Sequence, residues 1–124
     1  SLSPEDTVQK AYQMMMDKGF KGIPILKSNR IVGIVTLSDL LRIPREKMAS
    51  TDLKSVMTEK VLVTYPDESL FDVLNRMTQH GIGRLPVVAR GTNDFIGIIT
   101  RTDIMQSYDR QIEQLEAEPV HRDF

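Results

Sequence analysis

The sequence predicts an α/β (α+β) fold in which two copies of one unit, each strand-helix-strand-strand-helix, pack as a single pseudo-symmetric domain. Three observations lead there. Gly19-Phe20-Lys21-Gly22-Ile23-Pro24 and Ile31-Val32-Gly33-Ile34-Val35-Thr36-Leu37-Ser38-Asp39 return as Gly81-Ile82-Gly83-Arg84-Leu85-Pro86 and Phe95-Ile96-Gly97-Ile98-Ile99-Thr100-Arg101-Thr102-Asp103. Apolar residues ahead of each first glycine follow a helical period, and those behind it form two short runs of strand length. A lone supersecondary unit cannot bury its own apolar face, so a pair of copies is expected to share one core. The boundaries are a first repeat at 1–45, a linker at 46–60, a second repeat at 61–118 with an extended last helix, and a tail at 119–124.

The second repeat enters through a strand, Val61-Leu62-Val63-Thr64-Tyr65-Pro66, whereas the first has only Ser1-Leu2-Ser3-Pro4. Its leading strand is therefore expected to be truncated, with the numbering starting inside a longer protein and Ser1-Leu2 left over from cloning. Helices follow. Ser3-Pro4-Glu5-Asp6 and Tyr65-Pro66-Asp67-Glu68-Ser69 place proline and acids where a first turn tolerates the one and favours the other. Val8, Ala11, Tyr12 and Met15 form one apolar stripe, and Leu70, Val73, Leu74 and Met77 the other. Gly19 and Gly81 stand where a glycine ends a helix.

Ile23-Pro24-Ile25-Leu26 and Leu85-Pro86-Val87-Val88 are short runs containing proline, which predicts a sheet edge or a strand's first position. Ile31 to Val35 and Phe95 to Ile99 are unbroken apolar runs around a glycine, as in strands buried on both faces. Polar turns join each pair. Last come helices near Leu37 and Arg101. The second continues through Ile104, Tyr108, Ile112 and Leu115 toward Pro119, a stripe expected to pack on something, a second copy of the chain included.

Composition removes several function classes. With no cysteine there is no thiolate metal site and no thiol nucleophile. Sixteen basic residues against 17 acidic ones leave no global field to draw nucleic acid or an anionic membrane. No apolar run approaches the ~20 residues that cross a bilayer, so no membrane insertion of this segment and a cytoplasmic location are expected, the cytosolic part of a membrane protein included. His80 and His121 have no Cys or His partner in sequence, and no serine is set as a nucleophile beside them. Neither a catalytic residue nor a metal ligand is expected, and no cofactor is required.

The repeated segments resemble the CBS domain, and the tandem resembles the CBS pair or Bateman module. Val56-Met57-Thr58, just ahead of the second repeat, is similar to the usual lead-in. The resemblance covers roughly residues 3 to 108. It implies two repeats packed sheet to sheet about a pseudo-twofold axis, with two clefts that often take adenine nucleotides (AMP, ADP or ATP as regulatory ligand), and a module that pairs into a homodimer and regulates a larger host protein. Thr100 through Ile104 and Tyr108 resemble, over a short stretch, the cytosolic CBS pairs of prokaryotic CLC-type chloride channels; a segment of a nucleotide-metabolising enzyme and a purely structural dimerisation module with empty clefts are the alternatives.

A nucleotide requires an apolar slot, a carboxylate for ribose hydroxyls, and N–H or cationic groups for phosphate. Asp39 and Asp103 match the family's ribose position, and Thr36, Ser38, Thr100 and Thr102 stand at helix entrances. Ile23 and Pro24, with Leu85 and Pro86, match the strand lining the base slot. Thr64 is the expected extra polar contact. Arg84 and Arg101 are the phosphate candidates, with Lys21 a weaker one, so the cleft built on the second repeat is favoured. Beside that reading stands a plainer one: the two aspartates as first-turn acids, the threonines as helix caps and the arginines as solvated surface.

Overall fold

The computed structural model describes residues 2–117, and the side chains of 2–110. The stripe expected at Ile112 and Leu115, the stop at Pro119, the tail and His121 lie outside what is described. In order come helix α1 (Val8–Lys18), strands β1 (Gly22–Lys27) and β2 (Arg30–Thr36), a short α2 (Leu37–Leu41), two 3-10 turns (Arg45–Ser50 and Leu53–Ser55), α3 (Leu70–His80), β3 (Arg84–Val88), β4 (Phe95–Thr100) and α4 (Arg101–Ala117). The duplicated helix-strand-strand-helix order is the predicted one.

The helices begin later than the sequence suggested. Asp6 accepts from the Ser3 N–H at 2.8 Å and Glu68 from the Tyr65 N–H at 3.1 Å, so the proline-acid segments close separate turns ahead of the helices. Acidic side chains that bond nearby backbone offer the chain a turn in place of a helix. The caps fall to Thr7, which accepts from the Lys10 N–H, and to Ser69, which accepts from the Asp72 N–H. Both helices end as expected, on Gly19 (φ 70°) and Gly81 (φ 64°), whose N–H groups return to the Met15 and Met77 carbonyls.

Each repeat holds one antiparallel hairpin, in which Pro24 faces Ile34 and Pro86 faces Ile98. Ser28 and Asn29, with φ of 52° and 63°, make the tight turn of the first hairpin, and Gly91 and Asn93 take up positive φ in the longer second one. The prolines are not on the outer edge. Leu2 bridges to Ile25 in parallel, and Thr64 to Val87, so β1 and β3 each have a neighbour on either side. Proline is tolerated because its partner across the hairpin points N–H and C=O the other way.

Leu2 and Thr64 occupy equivalent places: Leu26 donates to the Leu2 carbonyl at 2.7 Å as Val88 donates to Thr64 at 3.0 Å. Thr64 also donates to the Pro86 carbonyl at 2.9 Å, a second bond that Leu2 has no counterpart for among the described residues. Leu2, 2 % exposed, belongs to the core. That core is not shared between repeats. One cluster gathers Val8, Ala11, Met15, Ile25, Val35 and Leu40 with Leu2, and a smaller one gathers Val73, Met77, Leu85 and Ile104.

The linker packs onto the first repeat. Met48 and Leu53 are buried in the first cluster, Leu53 donates to the Asp6 carbonyl and Val8 to that of Thr51. Beyond it, Thr58 exchanges two backbone hydrogen bonds with Ile34, 3.0 and 2.9 Å, and so runs along the outer edge of β2. The hairpin turns of the two repeats also meet, Phe95 donating to the Asn29 carbonyl at 2.8 Å. β4 departs from expectation: Ile96 and Ile98 remain 56 % and 39 % exposed, so this strand is not covered on both faces.

Candidate functional site

Two clefts lie between the repeats, related by the internal symmetry. The larger, about 570 Å³, has walls from Gly22, Ile34 and Thr36 of the first repeat and Gly83 to Pro86 with Thr100 and Thr102 of the second. Lys60-Val61-Leu62 closes a third side, because the Thr58–Ile34 pairing carries the chain past the cleft mouth. The smaller, about 220 Å³, is lined by Met14, Phe20, Gly22, Ile23, Pro24 and Leu26 with Arg84, Phe95 and Ile98. Only the larger falls within the ~300–1,000 Å³ usual for small-molecule sites.

Charge separates the clefts as well. Lys21, Lys60 and Arg84 line the larger one, with hydroxyls from Thr36, Thr100 and Thr102, and no carboxylate is in its wall among the described residues. Its apolar wall is Ile34, Val61, Leu62, Ile82, Leu85 and Pro86. This arrangement suits a flat apolar ring attached to an anionic group. In the smaller cleft Arg84 is the one charged residue among the lining side chains.

Of the residues singled out from sequence, Arg84, Leu85, Pro86, Thr36, Thr100 and Thr102 are brought together in the larger cleft, and Ile23 and Pro24 in the smaller. The others are placed elsewhere. Asp39 is 8 % exposed, and its Oδ2 accepts from the Thr36 N–H (2.8 Å) and hydroxyl (3.0 Å), while the Asp39 N–H donates to Thr36 Oγ1. Asp103 forms the same reciprocal pair with Thr100, at 3.2 and 3.0 Å, in a more exposed setting. Both carboxylates thus act as capping-box partners at the helix entrances, and neither lines a cleft. Ser38 is exposed and outside both linings. The Arg101 guanidinium donates to the Ile82 carbonyl at 3.3 Å, flanking the cleft rather than lining it.

Thr64 is 2 % exposed and turned inward, its hydroxyl donating to Glu68 Oε1 at 3.0 Å. Sequence reasoning missed what it joins. Arg76 forks onto the Glu68 carboxylate and donates to the Val63 carbonyl at 3.2 Å, so one ion pair fixes the segment that continues the cleft's third wall. The Arg76 hydrogen bonds, aided by Thr64 and the Tyr65 N–H against the cost of desolvation, hold the Glu68 carboxyl down to about 2. The first repeat has Leu2, Asp6 and Met14 at the equivalent places and no such network.

Lys60, Val61, Leu62 and Ile82 were also missed as wall residues. The signal available was the basic residue immediately before an apolar run, at a position that the repeat arithmetic sets beside the entrance of the second copy. Among the described residues, no three or more His, Cys, Asp or Glu side chains gather to hold a metal ion, and no helix is long and apolar enough to cross a membrane.

A fold of two such repeats, with clefts between them, defines a class, and comparison with known proteins identifies it. The CBS domain family matches residues 1–46 and 53–110, so the chain belongs to that family and is a CBS-pair regulatory module. An uncharacterized protein of Methanocaldococcus jannaschii is 31% identical over 108 residues, covering 86% of this chain and 35% of its own length. Inosine-5'-monophosphate dehydrogenase of Korarchaeum cryptofilum is 30% identical over 104 residues, or 84% of this chain and 21% of the enzyme. The chain therefore spans about a third or less of these two relatives. Among solved structures, the acetoin utilization protein AcuB of Vibrio cholerae matches with a TM-score of 0.79 and 32% identity over 96% of this chain and 90% of that one. CbpB in complex with c-di-AMP shares the fold (TM-score 0.80, 20% identity, 93% of this chain and 79% of that one).

Proposed function

We propose that this module senses an adenine nucleotide in the larger cleft and passes its occupancy to a larger polypeptide, without turning the ligand over. The observation that carries the reading is the lining of that cleft: three cations and three hydroxyls beside an apolar wall, with the Asp39 and Asp103 carboxylates bonded into helix caps. Phosphate goes to Lys21, Lys60 and Arg84, and the base to the side of Leu62, Ile82, Leu85 and Pro86. A ligand spanning Thr36 and Thr100 touches both repeats and so biases their packing, with a coupling of ~1 to 3 kcal/mol typical of allosteric links. The adenine-containing ligand of CbpB supports the ligand class. The dehydrogenase relative favours an enzyme as host over the chloride channel expected from residues 100–108.

Thermal shift with AMP, ADP, ATP and S-adenosylmethionine tests this on protein shown to be nucleotide-free. A ligand at 100 times its dissociation constant adds ~2.7 kcal/mol. Stabilisation should grow with phosphate number and be weakest for the cationic sulfonium. No shift with any of the four sinks the reading, as does hydrolysis of the bound nucleotide. A second reading, homodimerisation, is favoured by Phe71 on α3 and Met105 on α4, 63 % and 46 % exposed. Sedimentation of a Phe71→Glu, Met105→Glu double variant as monomer against a dimeric parent supports it, and a monomeric parent rejects it.

A further inference from the structure

Met57 lies in a notch that only a glycine can make. A Cβ built on Gly33, at the centre of β2, would stand 2.6 Å from Met57 Sδ, 2.9 Å from its Cγ and 3.2 Å from the Thr58 carbonyl oxygen. The thioether therefore rests directly on the β2 backbone. It also packs against the first core cluster, while part of the residue stays open to solvent. The next residue, Thr58, exchanges two backbone hydrogen bonds with Ile34, and the chain then runs on as the Lys60-Val61-Leu62 wall of the 570 Å³ cleft. Among the described residues, no backbone-to-backbone hydrogen bond holds positions 59 to 63 before Thr64 reaches β3. The near end of the wall thus hangs on the Thr58–Ile34 pair and on one apolar contact, and a sulfur atom makes that contact.

We infer that Met57 is an oxidation-sensitive pin, whose conversion to the sulfoxide by a hydroperoxide frees Thr58 from β2 and takes down the cleft wall. The chain has seven methionines and no cysteine, so a peroxide meets no thiol ahead of the thioethers. Exposure sorts the seven. Met16 and Met105 are exposed, Met14 and Met57 half-buried, and Met15, Met48 and Met77 buried. In the step itself a sulfur lone pair attacks one peroxide oxygen. The S–O bond forms as the O–O bond breaks, sulfur gives up two electrons, and hydrogen peroxide, so reduced, leaves as water.

The product does not suit the notch. No atom fits between Sδ and Gly33, and an S=O group turned the other way leaves a strong dipole on a side chain packed against apolar residues. A polar group without a hydrogen-bond partner is costly there, so the side chain swings out to water. Leu53, fully buried, keeps the earlier part of the linker in place and makes the release local to Thr58 and the wall beyond it. Sulfoxides at Met16 and Met105 stay hydrated where they stand and are expected to be silent. The consequence for ligand binding rests on the nucleotide reading above; the release of Thr58 does not.

Brief hydrogen peroxide treatment of the 124-residue protein, followed by peptide mass mapping, should oxidise Met16 and Met105 first, Met14 and Met57 next, and Met15, Met48 and Met77 only once the fold is lost. Amide hydrogen exchange at Ile34 and Thr58 should rise by about tenfold or more in molecules carrying the Met57 sulfoxide, return to its first value after methionine sulfoxide reductase, and stay unchanged in treated Met57→Leu protein. ATP affinity should fall by about tenfold in the treated parent and hold in treated Met57→Leu. Four results overturn the inference: Met57 stays a thioether until the buried methionines react, its sulfoxide leaves exchange at Ile34 and Thr58 as it was, exchange rises with no loss of ATP affinity, or Met57→Leu responds to peroxide as the parent does. Oxidised and unoxidised copies of one peptide from the same treated parent give the exchange comparison, so the inference is decided even where Met57→Leu does not fold. That comparison needs no ligand, and failure of the untreated parent to bind ATP counts against the nucleotide reading alone.

Discussion

Replacing Glu68 with glutamine removes the carboxylate that Arg76, Thr64 and the Tyr65 N–H share, while keeping its shape. The Glu68 carboxyl sits at about 2 against an ordinary 4.5. At ~1.4 kcal/mol per pKa unit, that depression corresponds to roughly 3 kcal/mol of folding stability. Because the folded-state value is lowered, this stability is fully present above the unfolded value near 4.5 and is lost as pH falls toward 2. The pair is largely screened from solvent, the Glu68 side chain being 15% exposed and that of Arg76 27%, so most of the effect should survive salt. Urea unfolding of parent and Glu68→Gln protein at pH 7 should differ by about 2 to 3 kcal/mol, and the two should converge near pH 2. Since Arg76 also holds the Val63 carbonyl, the variant should loosen the Lys60–Leu62 wall and weaken nucleotide binding. An unchanged pH slope between 5 and 2.5 would refute this reasoning.

Lys60→Ala and Arg84→Ala should each weaken ATP binding by about tenfold, the ~1.4 kcal/mol of one exposed charge-assisted contact, and AMP binding by less, read by calorimetry at two salt concentrations. Gly33→Ala should cost about 1 to 3 kcal/mol by overpacking Met57 against the Thr58 carbonyl, whereas Gly97→Ala should be neutral or stabilise by up to ~1 kcal/mol; equal effects in chemical denaturation would contradict the difference in their surroundings. Asp39→Ala should lose about 1 to 2 kcal/mol of stability through its buried capping box, and Asp103→Ala about half that, by the same measurement.

The repeat made the fold legible because turn formers and caps act locally. Gly19 and Gly81 had to end helices, and Thr36 and Thr100 had to begin them, whatever lay around. What the sequence concealed depends on contacts far along the chain. Lys60 reads as part of a polar linker until the Thr58–Ile34 pairing turns it into a cleft wall. The Glu68–Arg76 pair spans a helix start, so helical spacing never brought it to notice. The family pattern matched the aspartates to a ribose role, and the contact it did not show is that one oxygen of each carboxylate accepts from a backbone N–H three residues earlier. β4 read as doubly buried because its apolar run equals that of β2; the difference between them lies wholly in what covers each edge.

Under the proposed nucleotide reading, Arg84 limits the module to one ligand. It stands where the first repeat has Gly22, and it lines both clefts, as Gly22 does. Because both residues line both clefts, the difference in charge comes from Lys21 and Lys60, which line only the larger one. The larger cleft adds Lys21 and Lys60 to the shared guanidinium, while the lining of the smaller has Arg84 alone. A phosphate group bound in the larger cleft as proposed would engage that guanidinium, and an anion in the smaller would then meet an apolar pocket whose one cation among the described lining residues is already spent. Burying an unpaired charge there costs several kcal/mol, far more than one exposed contact returns. Calorimetric titration should accordingly give a stoichiometry near one nucleotide per chain, and two independent sites of equal affinity would show that Arg84 does not set it.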